Sequence, residues 1–240
     1  MKTPSKPLYK RVLLKLSGEA LMGDQLYGLD LPTIERICSE IKETHGMGIE
    51  QAIVVGGGNI FRGLNGESQG IERTTSDHMG MLATIMNALA LQNKLEQMGV
   101  ETRVMSAIPM QSICEPYIRR RAAHHMEKGR IIICAAGTGN PYFTTDSAAA
   151  LRASELNCQV LMKGTKVDGV YNADPFKSKD THFYPHLSYQ QVLTENLRVM
   201  DASAISLARE SHIPIIVFSI LNPHGIKEAL QGKGRFTLIQ

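Results

Sequence analysis

Two lysines stand in or directly after apolar runs that predict buried strands. Lys15 interrupts the run from Val12 to Leu16, and Lys163 follows the run from Gln159 to Met162. A buried lysine without a partner is costly, so each should either extend its ammonium group to solvent or meet an anion. For either lysine alone, a solvent-reaching side chain is a fair alternative. Two strand-end lysines in one sheet favour an anion site, because ligands of open α/β sheets bind beyond the carboxyl ends of the strands.

Glycine-rich segments follow two of the predicted strands. Ser17 and Gly18 follow the first strand, and Gly56-Gly57-Gly58-Asn59 follows the second, residues 51–55. Small side chains and free backbone amides let a phosphate approach closely. Consecutive glycines increase the entropy of the unfolded chain, and we expect them to face a ligand rather than to serve packing. Arg62, shortly afterwards, offers a planar guanidinium that suits phosphate oxygens.

A third loop, Gly137 to Asp146, follows the apolar strand 131–135. It combines backbone freedom, hydrogen-bonding side chains, two aromatic rings and a carboxylate at the predicted start of a helix, residues 147–156. Asp146 at this place could simply cap that helix, since aspartate is a preferred N-cap residue. The alternative is a direct role in the anion site, and the sequence leaves both open at this point.

The composition is that of an ordinary soluble globular chain: 240 residues, of which 43% are hydrophobic and 20% charged. We expect one domain. No apolar run approaches the length of a membrane span and the N-terminus lacks the core of a signal peptide, so we expect a cytoplasmic protein without a membrane partner. The four cysteines lack metal-site or disulfide spacing, and no metal-ligating residues are predicted. A net charge of +3 is too small to imply nucleic acid.

Strands alternate with helices along the chain, which predicts an α/β fold: a three-layer α/β/α sandwich around a mainly parallel sheet. Neither the P-loop motif nor the dinucleotide-binding glycine motif occurs, so both of those site classes are excluded. A long helix is expected from Asp77 to about Met98, and it is apolar nearly all round. Such a helix must be covered on more than one side, either by another subunit or within the chain.

Taken together, the motifs resemble those of the amino acid kinase superfamily, and within it the bacterial uridylate (UMP) kinases. The motifs that carry the resemblance are Lys15-Leu16-Ser17-Gly18, Gly56-Gly57-Gly58-Asn59, Asp77-His78-Met79-Gly80, Gly137 to Asp146, and Lys163 to Val170. Acetylglutamate, carbamate and aspartate kinases share the lysine and glycine motifs. The distinction between uridylate kinases and these other kinases therefore depends on the segment that begins at Asp77 and on the loop from Thr138 to Thr145. Gly164 and Tyr142 are small departures, because alanine and phenylalanine are common there.

The resemblance implies an amino acid kinase-like fold over residues 1–240, with an acceptor and oligomerisation half of about 1–150 and an ATP-binding half of about 151–240. It implies a nucleoside monophosphate kinase that transfers the γ-phosphoryl group of ATP to UMP, giving UDP and ADP, in de novo pyrimidine nucleotide biosynthesis. Mg²⁺ is expected with the ATP phosphates, with no protein ligand named. The family further implies a homohexamer built as a trimer of dimers, activated by GTP and inhibited by UTP.

The resemblance also assigns roles to residues. Lys15 and Lys163 would bridge the transferring phosphoryl group, with Asp146 between them. The implied ATP-binding residues are Lys15, Leu16, Ser17, Gly18, Gly58, Arg62, Thr165, Tyr171 and Asp174. The implied UMP-binding residues are Gly57, Asp77, Thr138, Gly139, Asn140, Pro141, Tyr142, Phe143, Thr144 and Thr145. Arg103 and Arg130 match positions associated with the GTP site.

Overall fold

The computed structural model describes residues 7–61, 70–178 and 181–240. Within these residues the strands are β1 (Arg11–Leu16), β2 (Glu50–Val55), β3 (Thr102–Ser106), β4 (Glu115–Pro116), β5 (Ile131–Ala135), β6 (Val160–Thr165), β7 (Val170–Tyr171), β8 (Phe183–Tyr184), β9 (His186–Leu187), β10 (Ile215–Ser219) and β11 (Phe236–Ile239). The α-helices are α1 (Leu31–His45), α2 (Arg73–Gln97), α3 (Arg119–Glu127), α4 (Thr145–Glu155), α5 (Tyr189–Thr194), α6 (Ala202–Glu210) and α7 (Gly225–Leu230).

One sheet organises the molecule. In the described parts of the chain it has nine strands in the order β4-β3-β5-β2-β1-β6-β10-β11-β9. The pairs from β4 to β10 are parallel, β11 pairs antiparallel with β10, and β9 pairs parallel with β11. Strands β7 and β8 form a separate antiparallel pair. The prediction of a mainly parallel sheet is confirmed.

Helices cover both faces of the sheet, and alternate residues of each strand belong to different cores. On one face Leu14 packs with residues of α1, α2 and α7, including Ile37, Leu91 and Ile226. On the other face Leu13 packs with residues of α3, α4, α5 and α6, including Ala149. This is the predicted three-layer sandwich. In the described residues no helix is both long enough and apolar enough to cross a bilayer.

Two helices begin at different residues than the sequence predicts. Helix α2 starts at Arg73, one turn before Asp77, so Asp77 lies inside the helix and does not open it. The sequence pattern also predicts a helix from Glu115 to Lys128, but this helix begins only at Arg119, because Glu115 and Pro116 pair with β3 as a short strand. Proline favours an extended conformation in the residue before it, which suits this strand better than a helix interior.

Candidate active site

The two strand-end lysines lie side by side in the centre of the sheet. Strands β1 and β6 are parallel neighbours, and their register pairs Lys15 with Lys163. Paired residues of adjacent strands point to the same face, and here it is the face of Leu13, against which α4 packs. Lys15 is only 6% exposed. A solvent-reaching side chain is therefore not the explanation for Lys15.

Helix α4 places a carboxylate between the two ammonium groups. Lys15 Nζ lies 2.6 Å from Asp146 Oδ1, and Lys163 Nζ donates to Asp146 Oδ2 at 2.7 Å. The side chains of Lys15, Asp146 and Lys163 are 8%, 12% and 14% exposed, so all three charges are largely removed from water. Two ammonium groups and one carboxylate leave a formal excess of one positive charge, which suits an incoming anion.

Helix capping does not explain Asp146. The N-cap of α4 is Thr144, whose hydroxyl oxygen accepts a hydrogen bond from the Asp146 backbone N–H at 3.1 Å. The Asp146 side chain is thus free of any capping role and is directed to the lysines. The helix dipole further stabilises the negative charge of Asp146, because this residue lies in the first turn of α4.

Burial and the neighbouring opposite charges shift the pKa values of Asp146 and Lys163 in opposite directions. Burial alone would raise the pKa of Asp146, but the charges of Lys15 and Lys163 and their contacts outweigh it, so the pKa of Asp146 is lowered. Burial lowers the pKa of Lys163; Asp146 offsets part of this effect, and the like charge of Lys15 adds to it. The pKa of Lys163 is therefore below that of an ordinary lysine.

A backbone segment before α6 completes the surroundings of Lys163. The ammonium group of Lys163 donates a second hydrogen bond to the carbonyl oxygen of Val199 at 2.5 Å. Two residues later, the Asp201 carboxylate accepts from the hydroxyl of Thr144 and, at 3.5 Å, from the hydroxyl of Ser147. Asp201 thus ties the starts of α4 and α6 together. Sequence reasoning missed Val199 and Asp201, because an aspartate before a helix predicts only a cap.

A cleft of about 620 Å³ opens beside Lys163. It is lined by β6, by the segment that follows it and by residues 195–199, and it contains Thr165, Tyr171 and Asp174. The Tyr171 hydroxyl donates to Asp168 Oδ1 at 2.5 Å and accepts from Arg235 at 3.3 Å. Three of the residues that the resemblance assigns to ATP therefore share one cleft with Lys163, a catalytic candidate.

The glycines after β1 and β2 are in close contact with the protein's own backbone. A Cβ atom on Gly18 would lie 2.7 Å from Gly58 N and 2.8 Å from Gly56 O. A Cβ atom on Gly57 would lie 2.8 Å from both Ala83 Cβ and the carbonyl oxygen of Gly80 in α2. Packing therefore requires glycine at Gly18 and Gly57, contrary to the expectation that the glycine segment serves a ligand rather than packing. The same close packing brings the loops after β1 and β2 together.

Asp77 joins α2 to the loop after β5. Its Oδ2 accepts from the backbone N–H of Tyr142 at 2.7 Å and from Arg73 Nε at 2.9 Å. The loop is also held internally, since Asn140 N–H donates to Thr138 Oγ1 at 3.1 Å. Tyr142 and Phe143 are exposed there. Asp77 and the loop from Thr138 to Thr145, both assigned to UMP by resemblance, thus form one region.

The described geometry has a counterpart among known proteins. A model of the amino acid kinase family matches residues 10–219. The chain belongs to the amino acid kinase family.

Relatives place the chain within the family. A uridylate kinase of Cereibacter sphaeroides is 61% identical over 232 residues, which are 97% of this chain and 94% of the relative. A uridylate kinase of Roseobacter denitrificans is 58% identical over 241 residues, with both chains fully covered. The crystal structure of UMP kinase from Bacillus anthracis matches with a TM-score of 0.93 and 41% identity, covering 97% of this chain and 96% of that one. This member of the amino acid kinase family groups with its uridylate kinases, as the sequence motifs predict.

Three residues to which the family resemblance assigns a role are not placed at the candidate active site. One lies outside the described residues, and two lie elsewhere in the fold. Arg62 belongs to residues 62–69, which the structure does not describe. Arg103 and Arg130 lie at the amino ends of β3 and β5, whereas Lys15 lies toward the carboxyl end of β1. The two arginines share Glu101, at 3.9 Å from Arg103 and 2.6 Å from Arg130. They form a separate charged cluster at the opposite edge of the sheet.

Proposed function

We propose that this chain transfers the γ-phosphoryl group of ATP to UMP, giving UDP and ADP, and that it acts in pyrimidine nucleotide biosynthesis. The observation that carries the proposal is the placement of two largely buried lysines on one carboxylate, at 2.6 and 2.7 Å, beside a cleft large enough for a ligand. The relatives at 58–61% identity are uridylate kinases, which supports UMP as the acceptor.

The acceptor in this reaction needs no general base. The second pKa of a phosphate monoester is about 6, so the attacking oxygen of UMP is already anionic at neutral pH. The barrier is the approach of two polyanions, and catalysis consists of positioning them in line and neutralising their charge. Lys15 and Lys163 would contact the transferring phosphoryl group, while Asp146 holds both ammonium groups in place.

The substrates would lie on opposite sides of this triad. ATP would occupy the 620 Å³ cleft with Thr165, Tyr171 and Asp174, its phosphates reaching Leu16, Ser17, Gly18 and Gly58 and, outside the described residues, Arg62. UMP would bind at Gly57, Asp77 and the loop from Thr138 to Thr145. This arrangement divides the chain into an acceptor half of about 1–150 and an ATP half of about 151–240.

Mg²⁺ would enter on the phosphates of ATP. Among the described residues no three His, Cys, Asp or Glu side chains converge as a metal-binding group. An ion carried by phosphates fits such surroundings, because Mg²⁺ commonly keeps several waters and takes few protein ligands. When bound, it would neutralise part of the phosphate charge, and we assign it no protein ligand.

A coupled assay for ADP release tests the proposal. ADP should appear when UMP is added with ATP and Mg²⁺, and not when acetylglutamate or carbamate replaces UMP. ADP release with either of those acceptors instead would identify a different kinase of the same family. Nucleotide binding without ADP release would identify a binding protein.

We further propose a homohexamer, a trimer of dimers, in the cytoplasm, activated by GTP and inhibited by UTP. The family resemblance supports the assembly and the effectors, with Arg103 and Arg130 as GTP contacts. The described cysteines are all free, which is in keeping with a reducing compartment. A GTP titration that leaves the rate unchanged would refute the regulatory part alone.

A further inference from the structure

The inner face of α2 contacts two of the loops that surround the proposed acceptor site. Thr84 reaches the loop that leaves β5, and Asn87 reaches the glycine segment that leaves β2. Both side chains are polar and buried, with Thr84 3% exposed and Asn87 0% exposed. Buried polar groups in a helix require specific partners, so these contacts determine how the loops sit on the helix.

Thr84 binds the backbone at the point where the acceptor loop begins. Ala136 has a φ of 61°, a left-handed conformation that is unfavourable for alanine, and Gly137 follows with a φ of 59°. Ala136 is fully buried, so its N–H cannot be satisfied by water. It donates to Thr84 Oγ1 at 2.8 Å, while the Thr84 hydroxyl donates to the carbonyl oxygen of Met81 at 2.7 Å. The second bond orients the hydroxyl so that its oxygen accepts from Ala136.

Asn87 fixes the helix that carries Thr84. Asn87 Nδ2 donates to the carbonyl oxygen of Gly56 at 2.6 Å and to Asn59 Oδ1 at 2.7 Å. Asn59 Nδ2 donates in return to Asn87 Oδ1 at 3.1 Å and to the carbonyl oxygen of Gly28 at 2.8 Å. The glycine segment and α2 therefore form one hydrogen-bonded unit. These hydrogen bonds hold α2 in place and thereby fix the position of the Thr84 hydroxyl relative to Ala136.

We propose that Thr84 is a positioning residue for UMP. Its hydroxyl holds the strained turn at Ala136 and Gly137 and thereby sets the course of the loop from Thr138 to Thr145. Thr84 itself touches no substrate, and its effect passes through the backbone of Ala136. The inference rests on the proposed function of that loop as the acceptor site.

The test compares Thr84→Val with Thr84→Ser. Valine has nearly the shape of threonine but leaves the Ala136 N–H unpaired, whereas serine keeps the hydroxyl. Thr84→Val should raise the KM for UMP by about tenfold or more, since losing a buried hydrogen bond partner is worth about ten- to hundredfold in an equilibrium. The KM for ATP should change by less than about twofold, and Thr84→Ser should restore a near wild-type KM for UMP. Amide hydrogen exchange at Ala136 should accelerate in Thr84→Val and not in Thr84→Ser.

Thr44→Val is the matched control. Thr44 is equally buried, and its hydroxyl donates to Glu40 O and accepts from Gln51 Nε2, both outside the proposed site. This control should lower thermal stability without changing the KM for UMP. If Thr84→Val does not fold, Thr84→Ala gives the same test with a smaller side chain.

Two results would overturn the inference: an unchanged KM for UMP in the valine and alanine variants, or equal rises in the KM values for UMP and ATP. Neither result would contradict the proposed phosphorylation of UMP by the wild-type chain. A wild-type chain that does not phosphorylate UMP would instead refute the proposed function, and the hydrogen-exchange comparison would still report whether Thr84 holds the loop.

Discussion

The ammonium group of Lys163 has three N–H donors, and two of them are committed to the protein. One binds Asp146 Oδ2 at 2.7 Å and one binds Val199 O at 2.5 Å. In the proposed reaction the third donor would meet the phosphoryl group. A lysine held in this way is oriented before the substrates arrive, which is the condition for electrostatic stabilisation of a transition state.

Replacing Lys163 by methionine should therefore lower kcat more than it affects binding. Methionine keeps an apolar stem of similar size, so the strand end should be little disturbed. Removing one preorganised contact of this kind costs about a hundredfold or more in kcat. Steady-state kinetics with a separate measurement of UMP binding would check this. Near-normal turnover would leave Lys15 as the only catalytic lysine.

The lowered pKa of Lys163 predicts a loss of activity in alkaline solution. Burial is the main cause of the shift, and the like charge of Lys15 adds to it. The lysine acts as an ammonium ion, and a lowered pKa means that its proton is lost at a lower pH. The kcat/KM for ATP, which reports the free enzyme, should thus fall to half of its plateau value at a pH below 10.5, the ordinary pKa of a lysine side chain. A profile that stays flat to that pH, with the fold intact by circular dichroism, would contradict the assignment.

Close contacts of the loops after β1 and β2 with each other and with α2 explain why these loops are rich in glycine. Gly57→Ala would place Cβ 2.8 Å from Ala83 Cβ and Gly80 O in α2, so the loop or the helix would have to move. We expect a clear decrease in thermal midpoint. Gly46→Ala is the matched control, because Gly46 has a φ of −61° and a Cβ there would have its nearest neighbour at 3.4 Å. Equal midpoints for the two variants would show that the contact is easily relieved.

The central strands and the main helices were predictable from the sequence, because most of these strands are short apolar runs and they alternate with helical patterns along the chain. Lys15 and Lys163 were recognisable for the same reason, as charges within apolar runs. Tertiary contacts were not predictable. Nothing local shows that Thr144 rather than Asp146 caps α4, or that Asp201 binds α4 across the space between two helices. Residues 115–116 form a strand only because β3 lies beside them.

At the scale of the whole molecule, α2 has two functional faces in our interpretation. Its inner face holds the loops of the proposed acceptor site through Asp77, Thr84 and Asn87. Its outer face exposes Leu82 and Met86, at 47% and 55% of their surface, together with Met79. These three residues lie at helical spacings of three and four, so they form one apolar stripe. An exposed apolar stripe is typical of an interaction site, which favours a subunit contact, one of the two ways in which the sequence predicts this helix to be covered.

Met86→Lys should break that contact. A lysine in the middle of an apolar interface would be buried without a partner, which is strongly unfavourable for assembly. Sedimentation velocity should show the wild-type chain as a hexamer and the variant as smaller species with unchanged circular dichroism. Gln190→Lys adds the same charge at an exposed site on α5, across the sheet from α2, and should leave the hexamer intact. A monomeric wild-type chain at micromolar concentration, or a hexameric Met86→Lys variant, would show that this stripe is not the subunit contact.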